Sequence, residues 1–435
     1  MRGLLALALL LSACKPKEVV EDLGCTATGS GELDLDVDDF EGSWVVAPGV
    51  DVYDTSGELV ATFGDSGTTT LPGGTYTVGV RRGQAAPDEF AGSTAGLLRD
   101  TFSEVCVPDG GTVAVNVTAE PQPSSGRLWA ASGATFAGYG GLSDPGDEVE
   151  ADAILTFPAD IAGAAWDVWG NLWALGASGT FFVVEPADIT GADAAKVLRE
   201  VPAADLAGAG IADLDADEAG NFWVTLSDRE DGFSGVVVFG VDELRATFSG
   251  STELTPLWSG TMTGASHPAR VMFDAEGGLY VSDPGADTVF HVACALCYLA
   301  APLVETETSL TSDAAFQTTV DDGFGGELPL VGPTELAMDE TGLWALYQES
   351  ALAAHVSRSA NGAVRSNFTA SVDAGSVGLV RDGSNGLWVA APGDSGATLS
   401  RIDAGTGMSD RATRLPELLS PTVLMFDPPV PLPAP

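Results

Sequence analysis

Few residue types in this chain could do chemistry, and most of them stand in turns. Asp213-Leu-Asp215-Ala-Asp217 opens with the alternating carboxylates of a calcium loop. Such a loop needs a turn glycine and a final glutamate; Glu218 and Val224 stand there instead, so the stretch reads as a hairpin turn. Gly-Asp-Ser-Gly occurs at 64–67 and again at 393–396, where Ser395 follows His355 as a nucleophile follows a base. Both residues lie inside repeated segments, and each Gly-Asp-Ser-Gly reads as a turn. No glycine-rich loop carries the lysine that a phosphate-binding loop requires. Cys294-Ala-Leu-Cys297 has redox-motif spacing, but no βαβ context surrounds it and Tyr298 replaces the histidine of haem attachment. A local disulfide is the reading, with free thiols the alternative. A zinc site would need two further ligands, and the chain has 3 histidines. His267 and His291 read as turn or strand residues.

The elements around these residues repeat. Arg127-Leu-Trp129, Asn171-Leu-Trp173, Asn221-Phe-Trp223, Gly278-Leu-Tyr280, Gly342-Leu-Trp344 and Gly386-Leu-Trp388 each open a strand. Before five of them runs a small apolar strand, then a turn begun by Asp167, Asp217, Asp274, Asp339 or Asp382 and holding a glycine. The aspartate can accept hydrogen bonds from turn N–H groups, and the glycine tolerates positive φ. One large aromatic per copy is expected to pack between neighbouring units. The spacing fits blades of four strands, with a loop-like insertion at 305–329. The first copy lacks a preceding strand, and Pro421–Asp427 is a strand with no partner after it. The C-terminus therefore supplies the missing strand, which predicts an all-β, six-bladed propeller at 127–427 without exposed sheet edges.

The best copy, GGLYVSDPGADTVFHV from Gly277 to Val292, resembles NHL-type propellers. That resemblance implies the fold and leaves function open. A gluconolactonase-like hydrolase is the enzymatic alternative. Its family would hold a divalent cation such as calcium in the central channel, polarising a lactone carbonyl and activating water. Asp283 falls where that family's aspartate would stand, but no acid adjoins Arg127–Trp129 to match its glutamate. A virginiamycin B lyase-like activity would need a catalytic histidine, with His267 and His291 the candidates. No catalytic residue, cofactor or metal site is assigned otherwise.

Residues 24–118 read as a small β-sandwich. Leu33, Leu35 and Val37 alternate with Asp34, Asp36 and Asp38, one face buried and one wet. A Ser-Gly turn and then Gly-Gly-Thr-Tyr-Thr-Val resemble domains related to carboxypeptidase regulatory domains. Cys25 and Cys106 bracket the unit and are expected to staple it. Residues 119–126 read as a linker, and 428–435 as a proline-rich tail.

The chain begins with Arg2 and the apolar run Leu4–Leu11, a processing signal too short to span a bilayer. Leu11-Ser12-Ala13-Cys14 resembles the bacterial lipobox. It implies removal of residues 1–13 and lipid attachment at Cys14, with 14–23 a tether. Formal net charge is −44, from 62 acidic and 18 basic residues. Such a surface repels phosphate backbones, so nucleic acid is excluded as a partner. The sequence thus points to a lipid-anchored envelope protein, on the periplasmic or outer face of an outer membrane. It is expected to bind an envelope protein or glycan without catalysis.

Overall fold

The computed structural model describes residues 29–427 apart from 38–43, 47–48, 56–58, 82–83, 86–93, 98–101, 118, 123–126, 141, 143–147, 186–196, 218, 228–232, 250, 275–276, 296–297, 300–308, 322–325, 340–341, 357–362, 366–368 and 385. The signal, Cys14, the tether, Cys25, Cys297 and the 428–435 tail lie outside the described residues.

Alternation decides the N-terminal unit. In strand Ser30–Val37, Leu33, Leu35 and Val37 are buried while Glu32 and Asp36 are exposed. This strand pairs parallel with Thr112–Val117 and antiparallel with Gly67–Pro72. A second sheet orders Leu59–Phe63, Gly49–Tyr53, Gly74–Arg81 and Phe102–Val107. The two sheets share one apolar core, with Leu33 and Leu35 from the first and Val50, Val52, Val78 and Val107 from the second. A third small sheet places Ala119–Gln122 beside Thr94–Leu97. That strand occupies 119–122 of the stretch read as a linker at 119–126, whose residues 123–126 lie outside the described residues. Two prolines near 121 suggested a spacer, but an edge strand tolerates proline because one side of its backbone has no ladder to feed.

From residue 127 onward, six sheets follow among the described residues, and in five the strands run in chain order. The second orders 161–166, 172–176, 180–184 and 199–202; the third 210–216, 222–227, 235–239, 258–262 and 309–310; the fourth 271–273, 279–283, 288–292, 314–321 and 327–329, with 363–365 also beside 314–321. The fifth orders 333–338, 343–347, 352–356 and 369–371; the sixth 377–381, 386–391, 397–403 and 408–415. The first takes its opening strand, Val423–Asp427, from the far end of the chain and continues with 127–132, 135–139 and 153–156. Leu128 pairs with Phe426 and Ala130 with Leu424. The insertion read as loop-like at 305–329 holds strand 309–310 of the third sheet and strands 314–321 and 327–329 of the fourth.

The opening strand of each sheet neighbours those of the sheets before and after it, and the sixth neighbours the first. Trp166 Nε1 donates to the Phe426 carbonyl across the first and second sheets (2.9 Å). A Cβ on Gly163 would lie 2.9 Å from Leu214, and one on Gly378 would lie 2.5 Å from Leu424. These glycines allow the opening strands to approach one another. The repeated aromatics supply the bulk between sheets. Trp129, Trp173, Trp223, Trp344 and Trp388 are fully buried, each burial contributing on the order of 2–3 kcal/mol.

Candidate functional site

The repeat is a hydrogen-bonded device as well as a packing one. Asp167 Oδ1 accepts the N–H groups of Trp169 and Asn171, and its Oδ2 accepts Asn171 Nδ2 at 2.7 Å and Trp173 Nε1 at 2.8 Å. Asp217 is bonded in the same way by Asn221 and Trp223. Asp339 accepts Trp344 Nε1 at 2.7 Å, and Asp382 accepts Trp388 Nε1 at 2.9 Å. A buried carboxylate needs donors on both oxygens, and the indole fills the second one. The aromatic thus has a polar role that the sequence reading did not assign to it.

Two residue pairs vary together around this lock. In the second and third sheets an asparagine precedes the apolar residue, and a valine faces the tryptophan from the next strand: Asn171 with Val183, Asn221 with Val238. In the fourth, fifth and sixth sheets a glycine stands there, and the facing residue is basic: Gly278 with His291, Gly342 with His355, Gly386 with Arg401. Each base reaches toward the turn aspartate: His291 Nε2 is 3.7 Å from Asp274, His355 Nε2 3.9 Å from Asp339, and Arg401 Nε 2.6 Å from Asp382. A Cβ at 278 would lie 2.8 Å from His291 Nε2, and one at 386 would lie 2.2 Å from the Arg401 guanidinium. The glycine makes room for the base. Burial lowers the pKa of His355 against the pull of Asp339.

A charged cluster lies on the opening strands. Counting back equally from the turn aspartates reaches Gly163, Asp213, Arg270, Glu335 and Gly378. The strand register shifts at or beside this position in four of the five sheets, at Ile161/Gly163, Ile211/Asp213, Pro333/Glu335 and Val377/Leu379. Such bulges re-aim a side chain. Arg270 Nη1 donates to Asp213 Oδ1 at 2.6 Å, and the Val271 N–H donates to Asp213 Oδ2 at 3.2 Å. Arg270 Nε stands 3.6 Å from Glu335 Oε2, and the Gly378 N–H faces Glu335. The chain of contacts crosses the third to the sixth sheets.

One guanidinium serves one buried carboxylate, Asp213, and two partly buried ones, Asp215 and Glu335, here. Burial pushes Asp215 up to about 7, with the Asp213 charge adding to it and Arg270 opposing. Burial pushes Glu335 up to about 7, again against Arg270, and also raises Asp213. Burial disfavours the Arg270 charge, but Asp213 and Glu335 more than offset that and hold it protonated. Asp213-Leu-Asp215 therefore belongs to an opening strand, Gly210–Ala216, and only Asp217 to the turn. The sequence reading missed this cluster, although the common step back from the turn aspartates was there to be counted.

The other residues singled out above are dispersed. Asp283, wholly buried, accepts the N–H groups of Ser266, His267 and Ala286 and the Ser266 hydroxyl. It anchors the segment leading into the fourth sheet. His291 bonds Asp313 at 2.8 Å and packs on Tyr280. His355 is on the fifth sheet, whereas Ser395 is in a turn of the sixth, 3.4 Å from Arg414 Nη1. Cys106 lies opposite Thr75, and Cys294 follows strand Thr288–Val292. Among the described residues no group of three or more His, Cys, Asp and Glu side chains has a metal-holding arrangement.

No protein-family model matches the chain, and no curated protein matches it in sequence. Solved structures do. A nidogen/laminin complex is 13% identical over 68% of this chain and 97% of that one, with TM-score 0.44. A periplasmic gluconolactonase of Pseudomonas aeruginosa is 14% identical over 80% and 97%, with TM-score 0.40. The WD40 β-propeller domain of Doa1 is 11% identical over 68% and 80%, with TM-score 0.41. Likeness at these levels says nothing of activity, and the fold rests on the chain's own sheet order. The protein is an all-β protein of the β-propeller class.

Proposed function

We propose that the chain is a lipid-anchored cell-envelope protein whose propeller is a non-catalytic binding or interaction module. The propeller has six blades and is closed by strand 423–427. A carboxypeptidase-regulatory-like sandwich precedes it, and Cys14 carries the lipid at the outer membrane. The partner is an envelope protein or glycan, and no cofactor is required. One observation carries the non-catalytic part: Asp283, the residue a lactonase-like metal site would use, already accepts four hydrogen bonds from its own chain. Cys106 and Cys294 do not stand as free thiols, which supports pairing with Cys25 and Cys297.

Calorimetric melting of the full chain in detergent, with calcium, magnesium or EDTA, tests the reading alongside lactone turnover. A ligand of the native state raises the transition with its concentration. Unchanged melting and no turnover are expected. A saturable metal-dependent rise with lactone hydrolysis would establish the lactonase-like alternative. Retention of a Cys14→Ser variant in the membrane fraction would overturn the anchor.

A further inference from the structure

We propose that Asp213, Asp215, Arg270 and Glu335 form a proton-operated clamp across the opening strands of the third, fourth and fifth sheets, tight when Asp215 and Glu335 are protonated and loosened when both ionise. The geometry comes first. Arg270 stands between Asp213 of the sheet before it and Glu335 of the sheet after it. It is fully closed on one side only. The Asp213 contact is 2.6 Å, whereas Arg270 Nε and Glu335 Oε2 are buried, 3.6 Å apart and each without a hydrogen-bond partner. A buried donor and acceptor left unjoined is what a neutral Glu335 would leave.

The charges facing each group set the direction. Glu335 faces Arg270 from the fourth sheet, Asp213 from the third and the Gly378 N–H from the sixth. Asp215 faces Asp213, Arg270 and Asp217, and Asp217 is itself bonded by Asn221 and Trp223. Arg270 faces Asp213, Glu335 and Asp215. With Asp215 and Glu335 neutral, the remaining pair Asp213–Arg270 balances. With both ionised, three carboxylates share one guanidinium at a partly buried place, and their repulsion falls between strands of neighbouring sheets. Both carboxyls titrate near 7 when folded and lower when unfolded. The folded state therefore holds extra protons between those values, and the clamp's contribution is lost as pH rises through about 7. Each group ionising on release shifts strand opening by up to roughly tenfold per pH unit in that window.

Thermal melting of the full chain from pH 8 to pH 5 tests this with Glu335→Gln, Asp215→Asn and a control at exposed Asp205, Asp205→Asn, which changes net charge equally. The wild type should gain stability toward pH 5. Glu335→Gln and Asp215→Asn should melt higher than wild type at pH 8 and change less with pH, while the control stays parallel to wild type. Wild-type slopes in both clamp variants, or a lower melting point at pH 8, would overturn the proposal. Should the variants fail to fold, hydrogen exchange on the unaltered chain decides, corrected for intrinsic pH dependence. Protection of 210–216 and 333–338 should fall between pH 6 and 8 while that of 397–403, away from the clamp in the sixth sheet, holds; equal loss in all three would overturn it.

Discussion

Trp388 and Arg401, paired across adjacent strands of the sixth sheet, donate to the same oxygen of Asp382, at 2.9 Å and 2.6 Å. A neutral donor and a cation converge there on a carboxylate with no exposed surface. Their removal should differ in kind. Trp388→Phe deletes one hydrogen bond, with an expected loss of about 1–3 kcal/mol. Arg401→Met leaves a buried charge without its counter-ion, with an expected loss of about 3–5 kcal/mol. Denaturant unfolding of both variants should rank them in that order; equal losses would mean that Arg401 adds no more than a neutral donor.

The exchange between asparagine–valine and glycine–base pairs predicts coupling in the fourth sheet. Gly278→Asn alone should be destabilising, since its Cβ would lie 2.6 Å from Asp274 Oδ2 and 2.8 Å from His291 Nε2. His291→Val alone removes the ring facing Asp274 and Asp313. Together the two changes recreate the asparagine–valine pair of the second and third sheets around Tyr280. A double-mutant cycle should return a favourable coupling on the order of 1–2 kcal/mol. Simple additivity would mean that the two positions do not share a site.

Asp283 offers a test that separates scaffold from cofactor. Asp283→Asn turns one acceptor oxygen into a donor, which then opposes either the N–H groups at 266 and 267 or the N–H at 286 with the Ser266 hydroxyl. Leaving such buried donors opposed should cost about 2–4 kcal/mol. The loss should be the same with calcium and with EDTA. A loss present only with metal would make Asp283 a ligand.

Much of this could be read from the sequence because the lock is local. The turn aspartate, glycine and aromatic sit within a few residues of one another, so five copies stand out. The partners on the next strand do not, because turns of different length separate Trp173 from Val183 and Trp388 from Arg401. The clamp is harder still. Asp213, Arg270 and Glu335 come from three sheets, and each reads alone as one charge in a short strand. Alternation at Leu33, Leu35 and Val37 carried through to burial. The strand at 119–122 did not emerge, because proline outweighs pattern in a four-residue edge. Strand 314–321 was hidden among polar and glycine-rich neighbours, its own Gln317, Thr318 and Thr319 breaking the apolar pattern.

The meeting of the chain's two ends can be tested at a single glycine. Gly378 has φ +69°, and an added Cβ would lie 2.5 Å from Leu424 Cγ and 2.7 Å from its Cδ1. The same residue's N–H faces Glu335, so Gly378 adjoins both strand 423–427 and the clamp. Gly378→Ala should strain the backbone and push strand 423–427 away from the sixth sheet, at an expected loss of about 2–4 kcal/mol. Ending the chain after Ser420 should have a related and larger effect. It would strip Val423–Asp427 from strand Arg127–Ser132 and expose the latter as an unpaired edge. Both variants should show faster proteolysis near residue 127, and the truncated chain should also self-associate in light scattering. A truncated chain that melts as the full one does, and remains monomeric, would mean that the C-terminal strand closes nothing.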